Sequence, residues 1–197
     1  MESSSISLEP ETTNLCLTGE HVKLWPYMAG VYPRGILGQL WILLETAGII
    51  PHLFWGNQNP TATKMDLPNF CEFTVKADRQ LLFVTTPDGE TMLGCSWWDD
   101  IIYGHHAFGS LGMIPTARGK VALEACRLSS QWAFNQYNCK HVWAVTPWRD
   151  AASLITQAGY LRMATLPGFA FYDGQPHDVG VYRLPREVPD GQHISQG

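Results

Sequence analysis

The sequence predicts a single α/β domain in which helices flank a mixed sheet. Stretches of strand-like composition alternate with stretches of helical spacing, in the order helix, hairpin, strand, helix, strand, helix, strands. The 8 Trp, 7 Tyr and 8 Phe are more than a simple helical bundle needs and suit the faces of a sheet. A chain of 197 residues, 45% of them hydrophobic, is long enough to bury one substantial core.

The domain is expected to span residues 15–185, between polar tails at 1–14 and 186–197. The N-terminal tail is rich in Ser, Glu and Thr and has neither the basic nor the apolar region of a secretory signal. The most apolar stretch, Gly35–Pro51, is too short and too polar to cross a bilayer. We therefore expect a cytoplasmic protein without a membrane partner.

Charge and cysteine content narrow the classes of partner. The formal net charge of -5 and the pI of about 5.7 disfavour a broad basic face for duplex nucleic acid. The five cysteines form no CxxC pair and are widely spaced, which is typical of reduced thiols. The sequence therefore predicts neither a disulfide nor a zinc site.

The first element is an amphipathic helix between Gly35 and Gly48. Its apolar residues recur at steps of three and four positions. They are Leu37, Leu40, Trp41 and Leu44. The following stretch, His52–Lys76, shows no clear period and is predicted to be a long connection beside a pocket. Pro33–Lys76 is accordingly the region expected to select a substrate.

A hairpin and a third strand come next. Leu81–Thr86 and Thr91–Trp98 are predicted strands that flank a turn at Pro87–Glu90. The third strand is predicted at His106–Ile114.

The C-terminal half alternates helices and strands. A long helix is predicted from about Val121 to Asn135–Asn138, because apolar residues line one of its faces. The later predicted elements are a strand at His141–Thr146, a short helix at Arg149–Ala158 capped by Gly159, and strands at Tyr160–Leu166 and Asp178–Leu184 with a segment Phe169–Tyr172 between them.

The most informative segment joins the third strand to the long helix through Arg118-Gly119-Lys120. Free N–H groups and the positive dipole end make a helix N-terminus a ready anion site. Gly119 lets the main chain approach a phosphate closely, and Arg118 and Lys120 add positive charge. The alternative is an ordinary strand-to-helix turn with surface basic residues.

At two places the sequence resembles the GNAT superfamily of acyl-CoA-dependent N-acyltransferases. Arg118-Gly119-Lys120 is similar to that family's Arg-Gly-x-Gly-x-Gly/Ala loop, and Ala151–Tyr160 is similar to its Asn-x-x-Ala…Gly-Phe helix. Gly159 follows Arg118 by 41 positions (159 − 118), as in the family. The resemblance covers Leu81–Leu184, about half of the chain. The form Arg-Gly-Lys-x-Ala-x-x-Ala also resembles divergent GNAT proteins of tailed bacteriophages, which implies host cytoplasm or a virion as the location.

The resemblance implies a mostly antiparallel sheet with two splayed central strands, and acetyl-CoA as a cosubstrate without a metal. Backbone N–H groups of Gly119–Ala122 would hold the pyrophosphate, and the strand through Leu111 and Met113 would pair with the pantetheine amides. The thioester would enter between that strand and His141–Thr146. The implied cofactor-binding residues are Leu111, Met113, Arg118, Gly119, Lys120, Val121 and Ala122.

The chain departs from the family pattern at four positions. Val121 and Leu123 replace loop glycines, and Trp148 stands where Asn is common. Ile155 stands where a Tyr often protonates the leaving thiolate. The usual general acid is therefore missing.

The candidate catalytic residues are Asp99, Asp100, His106 and Tyr160, with His105 beside them. A carboxylate near Trp97 and Trp98 would have the raised pKa that a base needs, and histidines titrate in the useful range. A solvated Asp-Asp turn, a strand-edge His pair and a core Tyr160 are the structural alternatives.

Three functions follow. The first is direct acyl transfer to a primary amine, on a small molecule, a protein or a modified nucleotide. The second is a catalytically inactive GNAT-shaped structural or interaction protein, for example of a phage particle. The third is an unrelated hydrolase or ligand-binding α/β domain. The exposed aromatic content leaves homo-oligomerisation open.

Overall fold

The computed structural model describes residues 16–33, 35–55 and 65–186. Eight strands form one sheet in the order β1-β2-β3-β4-β5-β6-β8-β7. The strands are β1 (Leu17–Thr18), β2 (Lys23–Pro26), β3 (Gln80–Thr85), β4 (Met92–Ile102), β5 (His106–Met113), β6 (His141–Thr146), β7 (Leu161–Tyr172) and β8 (Gln175–Pro185). The helices are α1 (Gly35–Thr46), α2 (Ile50–Leu53), α3 (Leu67–Thr74), α4 (Lys120–Tyr137) and α5 (Arg149–Gln157).

Two apolar clusters pack on opposite faces of the sheet. On one face α4 covers the centre, with Ala125, Trp132 and Ala133 buried against Trp98 and Val142. On the other face α1 and α3 cover only the β2–β3–β4 side. Strand alternation explains the division, because neighbouring residues such as Trp97 and Trp98 point to opposite faces. Burial of large aromatic side chains in both layers agrees with the sheet predicted from composition.

The sheet is antiparallel except for one joint. β5 and β6 run parallel and pair only at three positions, from His106 opposite His141 to Phe108 opposite Trp143. Beyond them β6 continues to pair with β8 as far as Thr146, while β5 continues beside β4 as far as Met113. The central strands therefore splay, which confirms the predicted mixed, mostly antiparallel sheet.

The predicted long connection His52–Lys76 is wrong in part. Ile50–Leu53 forms α2 and Leu67–Thr74 forms α3. Asp66 caps α3 by accepting a hydrogen bond from the N–H of Asn69 at 2.9 Å. Pro68 signals a break when it is considered alone, but proline is favourable in the first turn of a helix. Residues 56–64 lie outside the described part of the chain.

The C-terminal strands are longer than predicted. The segment Phe169–Tyr172 belongs to β7, which reaches from Leu161 to Tyr172 with two register shifts against β8. Asp173 and Gly174 have φ values of 52° and 72° and make the two-residue turn that joins the strands. Bulges break the strict alternation that identifies a strand in sequence, so the prediction divided β7.

The ends of the chain contribute two further findings. The short strands β1 and β2 were not predicted, since only six residues are involved. The predicted tails fall outside the described residues except for Arg186, whose backbone N–H donates to the carbonyl of Lys140 at 2.8 Å. Among the described residues, no helix is long and apolar enough to cross a membrane.

Candidate functional site

A wedge between β5 and β6 forms a concavity in the described part of the chain. It begins where the strands separate, after Phe108 and Trp143. A cavity of about 690 Å³ fills it and is lined by parts of α2, β5, the α4 N-terminus, β6 and α5. Gly109 and Ala144, the first residues beyond the last paired position, lie at its apex. A long, narrow ligand can therefore enter between the strands without breaking hydrogen bonds between β5 and β6.

The α4 N-terminus forms the outer end of this cavity. Gly119 precedes the helix with a φ of 71° and a ψ of -127°, a conformation that side chains disfavour. A Cβ built on Gly119 would meet no atom within 4 Å, so the backbone faces open space. The N–H groups of the first turn have no helical acceptor, and that turn holds no acidic residue. The helix dipole of 18 residues adds positive potential.

The nearest carboxylate on α4 is held away from this end. Glu124 accepts hydrogen bonds from the backbone N–H groups of Glu20 and His21, each at 2.7 Å. Arg118 and Lys120 are both exposed. The helix end therefore presents N–H groups and two cations, which suits a phosphate or pyrophosphate.

The loss of the loop glycines leaves this arrangement intact. The side chain of Val121 packs against the apolar cluster beneath α4 and leaves its backbone free. Of the predicted cofactor-binding residues, five line the cavity, and Lys120 and Val121 do not. The five are Leu111, Met113, Arg118, Gly119 and Ala122. The residues present fit a pyrophosphate-bearing thioester at the helix end and along β5.

Ile155 and Trp148 close the α5 side of the wedge. Ile155 is buried and lines the cavity near Ala144. The indole Nε1 of Trp148 donates to the carbonyl of His52 at 3.0 Å, and its ring lies 4.3 Å from that of Tyr172. Trp148 thus connects α2 to the β7–β8 hairpin. The sequence motif located Trp148 but not its partners, because His52 and Tyr172 come from distant segments.

Tyr160 lies beneath the sheet, on the α4 side. Its hydroxyl is 2.8 Å from Ser130 Oγ, and burial raises the pKa of the phenol above its ordinary value. A small cavity of about 40 Å³ contacts Tyr160 and shares Gly109, Ala144 and Ile155 with the wedge. Tyr160 is therefore a core residue with its polar end adjacent to the wedge apex.

Asp99, His106 and Phe108 lie on the opposite face. Asp99 is half-buried, and its register partner is Phe108. Burial raises the pKa of Asp99 to about 6, with a further increase from Asp100, against smaller opposing effects of Arg79 and a Trp97 hydrogen bond. A carboxyl with this pKa is mostly ionised at pH 7 and can still accept a proton.

Asp100, His105 and His106 surround the turn between β4 and β5. Asp100 has a φ of 44° and is exposed, and its charge is close enough to raise the pKa of Asp99. The Nδ1 atoms of His105 and His106 are 2.6 Å apart, which requires a proton on one of them. In the described part of the chain, no group of three or more His, Cys, Asp or Glu side chains is placed to hold a metal ion.

Register aligns five side chains across the face that carries Asp99. Successive strands pair Asp99 with Phe108, Phe108 with Trp143, Trp143 with Arg183 and Arg183 with Leu161. We call this set the cross-strand row. The rings of Phe108 and Trp143 stack at 6.2 Å with planes 20° apart, and the guanidinium of Arg183 lies 5.9 Å from the Trp143 ring. Trp143 and Arg183 are not recognisable as site residues in the sequence, because pairing across four strands leaves no local signal.

Comparison with known proteins finds likeness in structure. No protein-family profile and no curated protein matches the sequence. A spermidine N-acetyltransferase from Vibrio cholerae, in complex with CoA and spermine, superposes with a TM-score of 0.68 at 15% identity, over 85% of this chain and 96% of that one. A probable GNAT-family acetyltransferase from Chromobacterium violaceum gives 0.63 at 22% identity, over 93% and 90%.

A third likeness is to a ribosomal-protein-S5-alanine acetyltransferase from Vibrio fischeri. Its TM-score is 0.66 at 10% identity, over 87% of this chain and 97% of that one. At these identities the likeness concerns architecture, and it covers nearly the whole length of each neighbour. Together with the splayed central strands and the glycine before α4, it establishes that this chain has the GNAT fold.

Proposed function

We propose that the protein is an acyl-CoA-dependent N-acyltransferase that moves an acetyl group to a primary amine. The wedge supports this most strongly, because it runs from an anion-binding helix end to an apex beneath the cross-strand row. The named activities of the structural neighbours, all acetyltransferases, support the same reaction type.

Bound acetyl-CoA would supply an acyl carbon activated as a thioester. The main-chain N–H groups at Gly119–Ala122 and the Arg118 guanidinium would hold the pyrophosphate. On the β6 side, β5 has no strand partner beyond Phe108 among the described residues, so Leu111 and Met113 leave a strand edge for amide pairing. These contacts would fix the thioester at the apex, where proximity contributes to rate.

The chemistry needs one proton acceptor and one proton donor. The amine nitrogen bonds to the acyl carbon as the carbon–sulfur bond breaks, and the amine proton passes to Asp99 or His106, directly or through water. The thiolate takes a proton from water, because burial raises the pKa of Tyr160 and makes its phenol a poorer donor. Asp99 suits the acceptor role because of its pKa of about 6 and its place in the row. Asp100 is the alternative carboxylate.

A titration with acetyl-CoA tests the proposal. The intact protein should bind it, and an Arg118→Ala, Gly119→Asp double variant should bind at least about tenfold more weakly, because a carboxylate replaces a phosphate at the helix end. Gly104→Asp is the matched control for the introduced charge and backbone strain. Gly104 has a φ of 73° and equally open surroundings, in the turn before β5. Absence of binding, or equal binding by the double variant, would refute the proposal.

The second candidate is a GNAT-fold protein without catalysis that serves a structural or interaction role. Ile155, in the place of the family's proton donor, favours it. Acetyl-CoA binding with no thiol release across a panel of amines would support this function instead. Self-association stays a prediction in either case. Leu161, Met163 and Phe169 on the outermost strand β7 are 56%, 46% and 65% exposed, as at many interaction surfaces.

A further inference from the structure

The cross-strand row carries opposite charges on the two sides of an aromatic floor. Asp99 lies on one side of the stacked Phe108 and Trp143 rings, and Arg183 lies on the other. Directly opposite side chains on one face have Cβ atoms roughly 5 Å apart, so neighbouring members of the row can contact one small ligand. Neither α1 nor α3 covers Trp143, which keeps the floor partly open.

The guanidinium of Arg183 makes no ion pair with a carboxylate of the described residues. Its Nε is buried and makes no hydrogen bond to any described residue. The guanidinium lies near the Trp143 ring. A buried donor without an acceptor is costly. An anionic ligand on the floor would give the Arg183 guanidinium an ion-pair partner.

Three histidines lie close to Arg183. His106 and His141 are register partners next to Phe108 and Trp143, and the His105 ring lies 5.7 Å from that of His141. Burial lowers the pKa of His141, and Arg183, His105 and His106 lower it further, so the His141 imidazole is mostly neutral at pH 7. Arg183 is therefore the member of this group with a permanent positive charge.

The charged groups on the Asp99 side of the floor include carboxylates as well as an arginine. Asp99 has Arg79, Asp78 and Asp100 close enough to shift its titration. Arg79 itself lies over the Phe73 ring, with its Cζ 3.8 Å from the ring centroid. A carboxylate is therefore placed beside the floor at Asp99, where it can attract an ammonium group, and the anion-attracting groups lie toward β8.

We propose that the acceptor is a primary amine that also carries an anionic oxyacid group, either a carboxylate or a phosphate, and that Arg183 binds this group. This proposal rests on the proposed acyl transfer. The wedge apex lies between β5 and β6, and Arg183 lies on β8, the next strand. One and a half strand spacings separate them, so the amine and the anion should be roughly 7 Å apart. A flat or ring-shaped body between them would stack on Phe108 and Trp143.

This acceptor class differs from polyamines. A polycation on the floor would place an ammonium group against Arg183, which is electrostatically unfavourable. The planar fork of an arginine matches carboxylate and phosphate oxygens with two parallel hydrogen bonds. The row therefore selects for an anion by both charge and shape.

Four probes test the proposal with acetyl-CoA as donor and thiol release as the readout. They are 4-(aminomethyl)benzoate, 4-(aminomethyl)phenyl phosphate, benzylamine and spermidine. At least one anionic probe should have a kcat/KM about 10-fold or more above that of benzylamine, as expected for a charged hydrogen-bonded pair. Whether the benzoate or the phosphate is preferred identifies the oxyacid.

Variants locate the effect. Arg183→Gln should remove the preference for the anionic probe over benzylamine by raising KM for the anionic probe. Arg162→Gln is the matched control, because Arg162 lies on the neighbouring strand, pairs with Tyr182 on the other face and donates to Thr165 Oγ1 at 2.9 Å. If Arg183→Gln does not fold, added NaCl serves the same purpose in the intact protein. It should raise KM for the anionic probe more steeply than for benzylamine.

The outcomes separate the two proposals. Failure to bind acetyl-CoA would overturn the acyltransferase function itself. Binding of acetyl-CoA with equal use of benzylamine and both anionic probes, preference for spermidine, or a preference that survives Arg183→Gln would overturn the acceptor assignment alone. Binding of acetyl-CoA with transfer to no probe would overturn the acceptor assignment together with the catalytic function.

Discussion

The raised pKa of Asp99 makes a candidate catalytic group measurable through stability. Its pKa is about 6, against 3.8 for an ordinary Asp, chiefly because of burial. The folded protein therefore retains a proton that the unfolded chain releases between about pH 4 and pH 6. The free energy of unfolding should fall as pH rises through that window.

The magnitude follows from the difference between the two pKa values. At 1.36 kcal/mol for each pKa unit, this difference lowers the free energy of unfolding at neutral pH by at most about 3 kcal/mol. Because the Asp99 side chain keeps some solvent contact, screening reduces the figure, and we expect about 1–2 kcal/mol. An Asp99→Asn variant has no carboxylate to ionise and keeps an oxygen that can accept from Trp97.

Urea unfolding at pH 4.5 and pH 7.5 measures the effect. Asp99→Asn should be more stable than the original protein at pH 7.5, and its advantage should shrink at pH 4.5. Asp100→Asn, an exposed neighbour, controls for the change in net charge. If the two proteins differ by the same free energy at both pH values, the burial argument for Asp99 is wrong.

Two further predictions concern the wedge and α3. Ile155→Tyr should raise kcat by about 10-fold or more if proton donation to sulfur limits the rate, because a positioned general acid contributes strongly to transfer reactions. Stopped-flow detection of the released thiol measures this increase, with Ile155→Phe as the control for side-chain size. Asp66→Ala should lower the free energy of unfolding by about 1 kcal/mol through loss of the α3 cap, whereas Asp66→Asn should keep most of it; equal loss in both variants, measured by urea unfolding, would contradict the capping role.

Local signals explain what the sequence could predict about the fold. The Pro87-Asp88-Gly89 turn and the helical spacing from Val121 to Trp132 are contained within short windows, and the structure confirms the hairpin and α4. α3 was missed because it has only eight residues and carries a proline, Pro68, in its first turn. β7 was divided because two register shifts interrupt its alternation.

The candidate site also contains residues that local sequence can identify and residues that it cannot. Gly119 is recognisable because its neighbours in sequence are also its neighbours at the helix end. Arg183 is not, because its position opposite Trp143 depends on the register of β6 against β8. Asp99 was named from its local aromatic neighbours, but its alignment with Phe108 and Trp143 needs the whole sheet.

The three-position joint between β5 and β6 also has a mechanical consequence. Five strands, β1 to β5, form one plate, and β6, β8 and β7 form another. The direct ladder between the plates is confined to His106–Phe108 and His141–Trp143. Few backbone hydrogen bonds therefore join the two plates directly, and α4 packs against both of them beneath the joint. A molecule bound along the wedge would contact β5 of one plate and β6 of the other, and so would join the plates where the ladder does not.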